Sequence, residues 1–136
     1  MYQEIGKYSE ALGASSHKQI DLILAKAKTD IRGAIQAIEQ QDILTKCKLI
    51  SNANSIVVYL QSCVRTEAVG SEVEGELAQR LNGVFGHLEE QLLKANISSS
   101  LKNLRAGDQS STKILKECDQ IIVNIHAWWE KVVELQ

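Results

Sequence analysis

KILKECDQIIVNIHAWWEKVV, residues 113 to 133, decides how the rest of the chain is read. Its apolar residues Ile114, Cys118, Ile121, Ile125, Trp128 and Val132 step by four and three in alternation. That stepping holds side chains on one stripe of an α-helix. Period-two alternation, the mark of a half-buried strand, is not sustained here or elsewhere in the chain. A helix with an apolar stripe needs other elements to cover it.

Upstream the same stepping recurs. Ile20, Leu24, Ala27, Ile31, Ala34 and Ile38 share a stripe on a helix expected to start near Ser16. Gln40, Gln41 and Asp42 then form a polar break, with Asp42 placed to N-cap a second helix that carries Leu49, Ala53, Ile56, Leu60 and Cys63. Gly70, Ser71 and Gly75 punctuate the chain again, and Ser71 with Glu74 has the capping-box spacing. The third helix presents Leu77, Leu81, Val84, Leu88, Leu92 and Ala95. Residues 98 to 112 hold Ser98-Ser99-Ser100, Gly107-Asp108 and Ser110-Ser111-Thr112, and read as a loop with one short turn around Leu101 to Leu104. No proline interrupts any of these segments. The economical solution is an all-α fold, an antiparallel up-and-down four-helix bundle over residues 14 to 136. A short N-terminal segment, residues 1 to 13, precedes it, with only a weak stripe of Tyr2, Ile5, Tyr8 and Leu12.

The composition suits one folded, soluble domain: 136 residues, 44% hydrophobic and 24% charged, with a mean hydropathy of −0.14. A net charge of −2 with no basic block argues against nucleic acid. The apolar runs are too short to span a bilayer, and no signal-peptide pattern opens the chain, so no membrane insertion and a cytoplasmic location are expected. Cys47, Cys63 and Cys118 are odd in number and far apart, which favours small apolar thiols over a disulfide framework or a metal cluster.

Catalysis and cofactors find little support. His17 lies among capping residues, His87 beside Leu88, and His126 just ahead of two tryptophans, each compatible with a surface or interface role. Glu-x-x-His pairs of the diiron kind, haem attachment, phosphate loops and nucleophile elbows are all missing. Only His87 and His126 lie inside helices as candidates for phosphotransfer, and their neighbours do not distinguish them. The expectation is a non-enzyme without cofactor or metal.

Two helices carry more apolar surface than a narrow seam needs. Ile50, Val57 and Val64 recur every seven residues beside the second stripe, and Leu115, Ile122 and Trp129 beside the fourth. A wide core-facing stripe is the ordinary explanation. The alternative is a flank groove that accepts another amphipathic helix, with Ile50, Val57, Ile122 and Trp129 as contact residues. Burial separates the two, since side chains enclosed in the core cannot meet a partner.

The segment GELAQRLNGVFGHLEEQLLKANI, residues 75 to 97, resembles the core of the FliS family of flagellar secretion chaperones. Gly75, Glu76, Ala78, Leu81, Leu92, Ala95 and Asn96 match its pattern without a gap, while Phe85 and His87 stand where the family usually has tyrosines. Ala14 and Ser15 resemble the start of the family's Ala-Ser-Pro motif, with Ser16 in place of proline and Gln19 near a usual leucine. Leu24-Ala25-Lys26-Ala27 occupies the place of a Leu-Tyr-Asp-Gly signature, and Trp129 aligns with a tryptophan near the C-terminus. The resemblance spans almost the whole chain, with extra residues near 66 to 74 and 98 to 112.

It implies a cytoplasmic bundle that binds the C-terminal helical region of flagellin, prevents premature polymerisation and contacts a component of the flagellar export gate. A similar adaptor for another helical cargo is the alternative, and exposed apolar stripes would equally serve a homodimer. In the family the N-terminal segment takes part in partner contacts, and Tyr8 matches a family tyrosine there, with Ile5 a nearby hydrophobic residue. Deleting residues 1 to 13 is therefore expected to change partner binding while far-UV circular dichroism stays helical. A loss of helicity would contradict this.

Overall fold

The computed structural model describes the backbone of residues 12–67, 72–98 and 110–134, and the side chains of 18–63, 79–98 and 110–131. Four helices account for it: α1 (Leu12–Glu39), α2 (Ile43–Glu67), α3 (Glu72–Ser98) and α4 (Ser110–Glu134). The expected N-terminal contacts Ile5 and Tyr8, the Ser71 cap and the turn at Leu101 to Leu104 lie outside the described residues.

Each helix packs on two neighbours, α1 on α2 and α4, and α3 on α2 and α4, which closes a four-membered ring. The direction of the helices follows from which residues meet. Asp21 near the start of α1 reaches His126 late in α4, and Arg32 late in α1 reaches Asp119 early in α4. Lys46 near the start of α2 reaches Asn96 at the end of α3. α1 and α4 therefore run antiparallel, as do α2 and α3; Gly33 late in α1 beside Leu49 early in α2, and Ser111 at the start of α4 bonded to Ala95 at the end of α3, extend this to the other pairs, and the expected up-and-down bundle is the fold.

Inside the ring, small and large side chains alternate. Ala27, Ile31, Ala34 and Ile38 of α1 meet Ile50, Ala53, Ile56, Val57 and Leu60 of α2, Phe85, Leu88, Leu92 and Ala95 of α3, and Leu115, Cys118 and Ile122 of α4. Each fully buried Leu or Ile contributes about 1.5–3 kcal/mol. The alanines let neighbouring backbones come close, and Gly33 carries this further: a Cβ there would stand 2.9 Å from Leu49 Cδ1.

The join between α1 and α2 is tight because one residue serves both ends. Gln41 takes a left-handed backbone, φ 57°, while its N–H bonds the Ile38 carbonyl at 3.0 Å and the Asp42 N–H bonds the Ala37 carbonyl at 2.8 Å. This is a Schellman closure with glutamine where glycine is the unstrained choice. Asp42 then starts α2, its Oδ1 accepting the Thr45 N–H at 3.2 Å. Hydrogen bonds from Thr45 hold the Asp42 carboxyl below its ordinary range. The cap is thus in place above the usual carboxylate pKa and is lost as pH falls through the lowered one.

Two boundaries differ from expectation. Helix α1 starts at Leu12 rather than near Ser16, since one glycine is a cost of about 1 kcal/mol and not a stop. Helix α4 takes in Ser110, Ser111 and Thr112, which the serine-rich composition assigned to a loop. Ser111 Oγ donates to the Ala95 carbonyl at 3.0 Å, so this hydroxyl ties the first turn of α4 to the last turn of α3.

That last turn has no basic residue of its own, although the carbonyl end of a helix favours one. Lys46 supplies the charge from α2. Its buried Nζ donates to the Asn96 carbonyl at 3.0 Å and to Asn96 Oδ1 at 2.9 Å. Asn96→Ala leaves this ammonium one acceptor short, so urea denaturation is expected to show a loss of about 1–3 kcal/mol. An unchanged midpoint would mean that water replaces the amide without cost.

Candidate partner-binding surface

The flank residues proposed from periodicity do not form a flank. Ile50, Val57 and Ile122 are 2%, 0% and 2% exposed, enclosed by the other helices. Their expected role as partner contacts is corrected: with Leu115 they belong to wide core-facing stripes. On α4 the supposed seam residues Ile114, Ile121 and Ile125 are only partly buried, while Leu115, Cys118 and Ile122 lie innermost. Trp129 sits at the rim, partly buried against the core and tilted 52° to Trp128 with ring centroids 6.5 Å apart.

The exposed apolar residues lie elsewhere. Leu44 is 84% exposed, Ile97 68%, Leu93 61% and Val58 46%, and Leu22 on α1 stands apart from them at 43%. Leu44 and Val58 are two heptads apart, so they share one edge of α2. Gln61, one turn beyond Val58, brings Nε2 to 3.9 Å from the place a Cβ would occupy on Gly86. That edge therefore borders α3. On α3, Leu93 is one heptad beyond Gly86, and Ile97 one further turn along. At one end of the bundle Lys46 and Asn96, two residues from Leu44 and one from Ile97, join α2 to α3. Among the described residues, a Cβ on Gly83 would meet nothing within 4 Å.

Leu93 follows Leu92 directly, and one of the pair had to face away from the core. The sequence therefore contained a signal for this surface, in apolar residues that sit one step off the stripe. It could not say which of the two is outside until the position of α2 is known.

Little here resembles reactive chemistry. Burial, and to a lesser extent the Glu117 charge, pushes the Cys118 thiol up to about 12, which suits a small apolar residue and not a nucleophile. Cys47 and Cys63 are half-buried and form no disulfide among the described residues. His87 is exposed, while His126 is buried at the α1–α4 joint with its Nε2 2.5 Å from Asp21 Oδ1. Among the described residues no helix is long and apolar enough to cross a membrane.

Comparison with known proteins bears on what this surface holds. The family model described as "Flagellar protein FliS" matches residues 1–136. Flagellar secretion chaperone FliSB of Pseudomonas aeruginosa is 25% identical over 131 residues, covering 96% of this chain and 91% of the relative. Flagellar secretion chaperone FliS of Vibrio cholerae is 22% identical, with 96% and 85% covered. The protein of that name from Salmonella typhimurium is 21% identical, with 96% and 86% covered.

Proposed function

Because the chain belongs to the flagellar protein FliS family, we propose that it is a cytoplasmic flagellar export chaperone that holds the C-terminal helical region of flagellin. It keeps that region from polymerising early and hands it to the type III flagellar export apparatus, meeting a component of the export gate on the way. The observation that carries the binding mode is the exposure of Leu93 and Ile97 on α3 and of Leu44 and Val58 on α2, two helices that pack together.

The physics favours such a surface over an internal groove. The core is already filled by the bundle's own side chains, so a partner helix must dock from outside. An amphipathic segment laid along the α2–α3 joint would cover these leucines, isoleucine and valine with its own stripe. A ligand that orders as it binds gives up a few kcal/mol of the gross interaction, which suits a cargo due for release. Trp129, at the rim of α4, and Ile5 and Tyr8 of the N-terminal segment remain proposed contacts. The same apolar row would also serve a homodimer, which cargo would then displace.

A second reading, an adaptor for a different helical cargo, is favoured by His87 and Ser16 at positions where the family usually has tyrosine and proline. Calorimetric titration with the C-terminal helical segment of flagellin from the same organism separates the two. Saturable binding with a negative heat-capacity change is expected. Leu93→Asp with Ile97→Asp should weaken it at least tenfold, about 1.4 kcal/mol, with the circular dichroism unchanged because both side chains are exposed. Unaltered affinity in that variant would place the cargo elsewhere, and no binding by the folded wild-type chain would remove flagellin as the cargo.

A further inference from the structure

At the joint between α1 and α4, His126 has carboxylates from both helices at one ring nitrogen. Nε2 lies 2.5 Å from Asp21 Oδ1 and 3.6 Å from Glu130 Oε1. All three donor atoms fall within 4.8 Å of one another. The His126 side chain is only 9% exposed, while Asp21 and Glu130 reach solvent. His126 and Glu130 are one helical turn apart on α4, which places them on a common face, and Asp21 comes from the antiparallel neighbour. A buried imidazole nitrogen aimed at a pair of oxygens on the surface of the bundle is a different arrangement from acidic residues that only happen to be close.

We propose that Asp21, His126 and Glu130 form a three-ligand site for a divalent transition cation, with zinc as the reference ion, that clips the early part of α1 to the late part of α4. One imidazole with two carboxylates is a borderline donor set. It suits zinc or cobalt and not magnesium or calcium, which take oxygen ligands. Tetrahedral zinc with bonds of about 2.0–2.2 Å sets donor atoms about 3.3–3.5 Å apart. The His126–Glu130 separation already fits. Asp21 has to withdraw by about 1 Å to change from hydrogen-bond acceptor to ligand, and its half-exposed side chain has room to do so. The fourth position faces solvent and takes water. Nε2 must be without a proton to ligate, so a proton held there in the bond to Asp21 is displaced to Nδ1 or to solvent as the ion enters.

Trp128 and Trp129 stand two and three residues beyond His126, which makes them reporters of a paramagnetic ion. The intact chain is titrated with cobalt(II) while tryptophan fluorescence and visible absorption are recorded. Saturable quenching at one ion per chain is expected, reversed by zinc, insensitive to magnesium and without a thiolate-to-cobalt charge-transfer band. Asp21→Asn and Glu130→Gln should each weaken binding about tenfold or more, His126→Gln should abolish it, and His87→Gln should leave it unchanged. Because Asp21 and Glu130 are exposed, the first two variants remain decisive even if His126→Gln disturbs the fold. Wild-type affinity in both Asp21→Asn and Glu130→Gln, a thiolate band that traces to Cys47 or Cys63, or no saturable binding would each overturn the site.

Discussion

Four helices, each with one apolar face, can satisfy all four faces only by turning them toward a common axis, and that constraint governs the rest of the molecule. The axis is crowded: Ala27, Ala34, Ala53 and Ala95 are all fully buried, and each lets an isoleucine or leucine from a neighbour fill the space beside it. Connections then follow the packing. Gln41 accepts a left-handed backbone so that α2 can reverse directly against α1, and Ser111 fastens α4 to the end of α3.

The same constraint explains what the residues that resemble the family do. Ala95 and Asn96 close its Leu-x-x-Ala-Asn pattern, and both are occupied with architecture. Ala95 is buried and its carbonyl accepts from Ser111, while Asn96 holds the buried ammonium of Lys46. This part of the resemblance therefore describes how α2, α3 and α4 are joined at one end of the bundle.

Helix number, order and direction were legible in the sequence because four-and-three stepping repeats in each segment and polar breaks separate the first two. The rotation of each helix was less so. On α4 two registers overlap, Ile114, Cys118, Ile121 and Ile125 in one and Leu115, Cys118, Ile122 and Trp129 in the other, and hydrophobicity alone does not say which is central. The core took the second, which turned Ile122 from candidate contact into packing; on α2 the expected Ala53, Ile56 and Leu60 are buried and the stripe is wide enough to enclose Ile50 and Val57 as well. Lys46 was illegible for another reason: a lysine reads as surface until its acceptor, fifty residues on, arrives beside it. Asp42, by contrast, was readable as a cap because its partner Thr45 is three residues away.

A filled interior with an apolar outer edge on α2 and α3 is the central claim, and methyl NMR tests it most directly. Flagellin's C-terminal segment is titrated into chain labelled at isoleucine, leucine and valine methyls. The account predicts that Leu44, Val58, Leu93 and Ile97 signals shift or broaden strongly, while Ile50, Val57 and Ile122 stay near their free positions. The opposite pattern, with core methyls moving and the outer edge silent, would mean that the bundle opens to admit its partner, and would contradict it.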